Sequence, residues 1–123
     1  MNIHFTGIGG IGMSALARYF LACGFVVTGS DSAESPITDE LQKEGVQWIT
    51  PDQSIPKNTE LHIYTEAVPE SDVQRQSAKI LNIPSRSYFQ QLGEISKLYK
   101  TIAICGTHGK STTTAMILSL IHI

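Results

Sequence analysis

Ile3-His4-Phe5-Thr6-Gly7-Ile8-Gly9-Gly10-Ile11-Gly12-Met13-Ser14-Ala15-Leu16-Ala17 is the stretch that decides how this chain folds. Ile3 to Thr6 is a short β-prone run, and Met13, Leu16, Ala17, Phe20 and Leu21 then recur at helical spacing. Between them Gly7, Gly9 and Gly12 match GxGxxG, in the strand-turn-helix context that this motif requires. In such a loop the first glycine permits the tight turn. The second lets the backbone approach a diphosphate with no Cβ in the way, and the third lets helix and strand pack closely. Ile8, Gly10 and Ile11 complete the candidate binding loop. Its anion would sit on the free N–H groups at the positive end of the helix that begins near Gly10.

Working outward, Phe25 to Thr28 reads as a second strand closed by Gly29-Ser30-Asp31, and Thr38 to Lys43 as a short helix ended by Gly45. Val46 to Ile49 is a third strand. Leu61 to Thr65 is a fourth, followed by a helix from about Ser71 to Leu81. Pro84 and Arg86 surround a weaker fifth strand, and Tyr88 to Leu98 returns to helical spacing. Strands alternating with helices at this interval predict right-handed crossovers. The fold class is therefore α/β, a Rossmann-like, mostly parallel sheet with helices on both faces. Ser30 and Asp31 stand about 20 residues beyond the glycine loop, where an acid commonly holds a ribose hydroxyl. Thr65, at the end of the fourth strand, is a further candidate for nucleotide contact. Taken alone, the loop and Asp31 suggest a nicotinamide dinucleotide, and a diphosphate site does not by itself name its nucleotide.

Lys100 to Cys105 reads as one more buried-type strand, and Gly106-Thr107-His108-Gly109-Lys110-Ser111-Thr112 follows it at once. This has the Gly-Lys-Ser ending of a phosphate loop, in the shorter GTxGK[ST] form, because Ile104 stands where the general pattern wants glycine. Small residues let successive N–H groups face phosphate oxygens. Lys110 adds a point charge at the β- and γ-phosphates, and Ser111 can offer its hydroxyl to Mg²⁺. Lys110 and Ser111 are thus the candidate catalytic residues, Ser111 the candidate metal ligand, and Gly106 to Thr112 the candidate cofactor-binding loop. The domain boundary is placed near Tyr99, with residues 1–99 as the first domain and 100–123 as the start of a second.

Composition bounds these readings. The chain has 123 residues, 41% of them hydrophobic and 16% charged, and a mean hydropathy of +0.00. These are the proportions of an ordinary globular domain, long enough to bury roughly two-thirds of its unfolded surface. A net charge of -2 offers no basic face for nucleic acid. No apolar run reaches the roughly 18 to 20 residues of a membrane span. The start, Met1-Asn2-Ile3-His4-Phe5, lacks a basic segment followed by a signal core. With Cys23 and Cys105 in unrelated local patterns, the expectation is reduced thiols in a cytoplasmic protein.

"IHFTGIGGIGMSALA", the "VTGSD" that closes the second strand, and "GTHGKSTTT" together resemble the Mur ligase family, through essentially the whole chain up to about Met116. The resemblance implies a first domain that binds the UDP of a sugar nucleotide and a second that binds ATP with Mg²⁺. Gly7, Gly9, Gly10 and Gly12 would lie near the diphosphate, and Gly106 to Thr112 around the ATP phosphates. It implies ATP-dependent ligation of L-alanine to UDP-N-acetylmuramate through an acyl phosphate, in peptidoglycan biosynthesis. A recycling ligase of the same family, which attaches a tripeptide to that sugar nucleotide, shares the GTHGK loop. Its first loop usually carries Cys and Phe among the glycines, so Gly9-Gly10-Ile11-Gly12-Met13-Ser14 favours the alanine-adding branch. "SRSYFQQL" lacks the Arg-Ala-Glu stretch common before the domain junction.

On the same resemblance, an intact ligase would continue for several hundred residues beyond Ile123. The second domain is expected to be truncated and the chain alone to be inactive. Leu118-Ser119-Leu120-Ile121-His122-Ile123 also reads as the translation of a transposase mosaic-end adapter, so these six residues are expected to be foreign and His122 to be without function. Of the other candidates, His108 is expected to contribute its backbone rather than its imidazole. His4 and His62 read as packing or edge residues, and Cys105 as a small core residue.

Overall fold

The computed structural model describes residues 1–104, with side-chain surroundings through Lys97. Among these residues five strands and four helices follow one another, alternating except between β3 and β4: β1 (Asn2–Thr6), α1 (Ile11–Ala22), β2 (Val26–Ser30), α2 (Pro36–Glu44), β3 (Gln47–Trp48), β4 (Leu61–Tyr64), α3 (Val73–Ile80), β5 (Ser85–Ser87) and α4 (Tyr88–Ile104). All strand pairs are parallel, in the order β3-β2-β1-β4-β5. The expected α/β class and its mostly parallel sheet are thus present. The chain winds outward from β1 to β3 and then restarts on the other side at β4. The connection order therefore reverses between β1 and β4, the point where open sheets of this kind leave a crevice beyond the carboxyl ends of their strands.

Local chemistry sets the ends of the elements. Ser35 caps α2 by accepting the Thr38 N–H at 3.3 Å, while the Thr38 hydroxyl accepts the Ser35 N–H at 2.8 Å, a reciprocal capping box with Pro36 in the first turn. Gly45, at φ 123°, ends that helix in a conformation that side chains disfavour. Asp72 caps α3 by accepting the N–H groups of Gln74 and Arg75.

The two faces of the sheet differ in chemistry. Ile3, Phe5, Val27, Leu61 and Ile63 point to one face and pack with Leu16, Ala17 and Phe20 of α1, Leu41 of α2 and Ile95 of α4 in one apolar core. The alternating residues His4, Thr6, Thr28, Ser30 and His62 point to the other. All of these are buried as well, and Gln74 of α3 bonds to His4, Thr6 and Ser30 on that face.

One expected element is replaced by another. A strand was expected over Lys100–Cys105, but α4 runs through Ile104 without a break at Tyr99, and Cys105 lies outside the described residues. A strand must find its hydrogen bonds on a neighbour, whereas a helix closes them within the segment. Among the described residues no strand pairs alongside 100–104. The apolar positions 92, 95, 98 and 102 also carry helical spacing across the junction.

Candidate functional site

A cavity of about 400 Å³ opens at the carboxyl ends of β1, β2 and β4. One wall is the glycine loop with the end of β2: Thr6, Gly7, Gly10, Ser30, Asp31 and Ser32. The opposite wall is Thr65, Ala67, Val68, Pro69 and Asp72, with Pro51 closing a third side. The crevice at the switch point is therefore lined by residues of both halves of the fold.

The loop is held by the strand beside it. The N–H groups of Gly7 and Ile8 donate to the Ser30 carbonyl at 2.9 and 3.0 Å, and the Gly9 N–H donates to Asp31 Oδ2 at 2.7 Å. These three donors are thereby turned to β2 and its extension. α1 then starts from Gly10 with no side-chain cap, so the N–H groups of its first turn have no intrahelical partner. Gly10 borders the cavity, and the helix end beside it is a site of positive potential. No Lys or Arg lines the cavity, so this backbone end is the feature that could attract an anion there.

Each glycine of the motif has an identifiable neighbour. Gly7 adopts φ +87°, and a Cβ there would run into the Thr65 methyl group. At Gly9 a Cβ would lie 2.7 Å from Asp31 Oδ2 and 3.2 Å from the Thr38 methyl, so the space expected to admit a diphosphate is filled by the Asp31 carboxylate. Gly12 was expected to ease helix-strand packing. It instead faces the Tyr88 phenol at the start of α4, which a Cβ would overlap. Burial raises the Tyr88 pKa, which keeps that phenol protonated.

Five of the nine residues expected at the sugar-nucleotide site line the cavity: Gly7, Gly10, Ser30, Asp31 and Thr65. Ile8 is fully buried and fills the space left by the missing side chain of Gly29. Gly9 is tied to Asp31, Ile11 is 83% exposed, and Gly12 is turned to Tyr88. Beside Thr65, Glu66 turns toward α4, where its carboxylate accepts the Phe89 N–H at 3.1 Å. The candidate phosphate loop Gly106, Thr107, His108, Gly109, Lys110, Ser111 and Thr112 lies outside the described residues, as do Cys105 and His122. Among the described residues no group of His, Cys, Asp and Glu could hold a metal ion.

Beneath the cavity lies a feature that sequence reading missed. His4, Thr6, Thr28, Ser30, His62 and Gln74 form one buried hydrogen-bond network. The hydroxyls of Thr6 and Ser30 donate to Gln74 Oε1 at 2.7 and 2.6 Å, and His4 Nε2 lies 2.9 Å from the same oxygen. His62 Nε2 is 2.7 Å from Thr6 Oγ1, whose proton is already given to Gln74, so that nitrogen carries the proton. His4 Nε2 meets only the Gln74 oxygen, an acceptor, and is protonated on the same reasoning. Both rings are thus assigned from the network as neutral Nε2–H tautomers. Burial lowers the His4 pKa to about 4 and the His62 pKa to about 3. His4 and His62 are therefore packing residues of β1 and β4, two of the three interior strands, and not of an edge. The available signal was a polar residue at every second place in strands that the fold buries on both faces.

The sequence matches the Mur ligase family, catalytic domain, over residues 2–100. The chain belongs to the Mur ligase family. UDP-N-acetylmuramate--L-alanine ligase of Acetivibrio thermocellus is 45% identical over 94% of this chain and 25% of its own length. The enzyme of the same name from Campylobacter jejuni is 45% identical over 98% of this chain and 28% of its own. The chain thus spans about a quarter of the length of these relatives. Among solved structures, UDP-N-acetylmuramate-alanine ligase from Thermotoga maritima superposes with a TM-score of 0.71 at 31% identity, covering 81% of this chain and 24% of that one. A murein peptide ligase from Psychrobacter arcticus gives 0.66 at 26% identity, covering 76% of this chain and 20% of that one. Within this Mur ligase chain the matched region contains the entire cavity, and among the described residues no helix is long and apolar enough to cross a membrane.

Proposed function

We propose that residues 1–99 form the UDP-sugar-binding domain of an ATP-dependent ligase that joins L-alanine to UDP-N-acetylmuramate, and that 100–123 begin its ATP-binding domain. The observation that carries this reading is the cavity of about 400 Å³ at the switch point, bordered by the uncapped start of α1 and closed by both halves of the sheet. A diphosphate placed against Gly10 would meet unpaired N–H groups at the positive helix end. Ser30, Asp31 and Thr65 would then face the sugar or ribose hydroxyls. The relatives that are 45% identical carry the alanine ligase name, which favours the alanine-adding activity over tripeptide recycling.

In this reaction the lactyl carboxylate of UDP-N-acetylmuramate takes the γ-phosphoryl group of ATP with release of ADP, and the amine of L-alanine attacks the carbonyl of the acyl phosphate, losing a proton as phosphate leaves. Lys110 would stabilise charge on the transferring phosphoryl group, and Ser111 would help to hold Mg²⁺, both electrostatic roles. Those steps belong to the whole ligase, in the cytoplasm where its nucleotide substrates are made; the present chain is expected to bind and not to turn over.

Calorimetric titration of the purified chain with UDP-N-acetylmuramate, UDP, NAD and NADP tests the reading. UDP-N-acetylmuramate should bind, with UDP retaining part of the affinity. Tight NAD binding without uridine preference would assign the cavity to a dinucleotide instead. Phosphate release by the chain alone with ATP, UDP-N-acetylmuramate and L-alanine would contradict the expected inactivity.

A further inference from the structure

The Gln74 side chain is fully buried, and its single oxygen accepts from residues of two strands that end at the cavity. Thr6 immediately precedes Gly7, and the Ser30 carbonyl holds the N–H groups of Gly7 and Ile8. Fixing the Thr6 and Ser30 hydroxyls therefore fixes the root of the glycine loop on both sides. The Gln74 amide nitrogen donates to the Thr50 carbonyl at 3.2 Å, one residue before Pro51 of the cavity wall. Its own backbone N–H is held by Asp72, which lines the opposite wall, and the next residue, Arg75, donates to the Val68 carbonyl at 3.1 Å and stacks on Tyr64.

We propose that Gln74 is a positioning residue for the nucleotide cavity: it sets the separation of the glycine-loop wall from the Thr65–Asp72 wall without touching the ligand. The Gln74 side chain joins the roots of the glycine loop to the Thr50 carbonyl, and its backbone N–H, held by Asp72, places it at the start of α3 beside the opposite wall. The requirement is chemical as well as steric. Three donors converge on one oxygen, and no buried polar side-chain atom among the described residues lacks a partner. An apolar replacement would leave two hydroxyls and an imidazole N–H without an acceptor, and they would have to move to recover one.

This inference rests on the proposed sugar-nucleotide reading for its ligand, and the experiment separates the two. Gln74→Leu, Gln74→Glu and Ser30→Ala are made in the whole chain. Affinity for UDP-N-acetylmuramate is measured well below the melting temperature, and amide exchange is followed residue by residue. Gln74→Leu should weaken binding by about tenfold or more, the effect of one or more lost buried hydrogen bonds. It should also expose the amides of Gly7, Ile8 and Gly9 to exchange while those of Ile3, Phe5 and Val27 stay protected. Gln74→Glu keeps an oxygen for the same donors but loses the donor to the Thr50 carbonyl, so it should restore protection of the Gly7 and Ile8 amides, recover binding only in part relative to Gln74→Leu, and raise the His4 pKa, read by NMR titration. Ser30→Ala, the milder change, should move loop exchange in the same direction even if Gln74→Leu does not fold. Unchanged loop protection in a folded Gln74→Leu or in Ser30→Ala overturns the inference, as does unchanged affinity in a folded Gln74→Leu. Loss of loop protection in a chain whose wild type binds no UDP-N-acetylmuramate would instead uphold the positioning role and overturn the ligand.

Discussion

Asp31 Oδ2 accepts the Gly9 N–H at 2.7 Å, joining the residue after β2 to the middle of a loop 22 residues earlier. The carboxylate also receives the Ala33 N–H and the Ser32 hydroxyl on its other oxygen, both at 3.4 Å. Asp31 is thus a structural partner of the glycine loop before any ligand is present. Replacing it by Ala leaves the part-buried Gly9 donor without its acceptor. The chain should lose about 1–2 kcal/mol of stability, and UDP-N-acetylmuramate should bind about tenfold more weakly. Urea denaturation and calorimetry check both, and Asp31→Ala with wild-type affinity would exclude the loop contact from the site.

Gly12 and Tyr88 constrain each other. A methyl group at position 12 overlaps the phenol, so Gly12→Ala should destabilise by about 1–3 kcal/mol although alanine is the better helix former. Tyr88→Ala should be destabilising alone and yet should recover part of the loss in the double variant. A coupling energy near zero in that cycle would show that the two do not meet.

Gly7 carries two separate constraints. Its φ of +87° disfavours any side chain, and the Thr65 methyl occupies the space a Cβ would take. Gly7→Ala should therefore cost about 2 kcal/mol or more, and Thr65→Ser should relieve only the steric part. Full rescue by Thr65→Ser would show that the backbone is not strained there.

The pH dependence follows from His4 and His62. Their folded pKa values are lowered to about 4 and about 3, against an ordinary value of 6.5. As pH falls below 6.5 the unfolded chain binds protons first. The stability these groups contribute is complete above that value and declines as pH falls toward the folded values. At pH 5 the loss should be on the order of 2 kcal/mol for each histidine. Urea midpoints measured from pH 7.5 to pH 5 should fall steadily, and a flat profile would mean that the imidazoles are not held neutral.

Much of the architecture is legible in the residues. The switch from β-prone to helical spacing around Gly7–Gly12 places β1 and α1, and the later repeats of that switch place the remaining elements within a few residues of their bounds. Gly45 marks the end of α2 by local chemistry alone, whereas its start, expected at Thr38, lies at Pro36 behind the Ser35 cap. The strand expected over Lys100–Cys105 shows the limit, because β-prone residues specify a strand only where a neighbour supplies hydrogen bonds. At the site, Gly7, Gly10, Ser30, Asp31 and Thr65 were accessible to sequence reasoning because each lies at or just beyond the carboxyl end of a strand. Pro51, Val68 and Asp72 were not, since nothing local says that two loops far apart in sequence will face each other.

What the sequence by itself determined is the set of local choices: where backbone must turn without a side chain, where helices begin, and which strand positions are apolar. These depend on neighbours within a few residues. Only the tertiary structure decided what each choice is for. It turned the Gly7, Ile8 and Gly9 donors onto Ser30 and Asp31, set Tyr88 against Gly12, and brought Thr6, Ser30 and His4 to one oxygen of Gln74. The physical reason is that a buried donor or acceptor must be paired, and its partner is chosen by strand order and register rather than by adjacency along the chain.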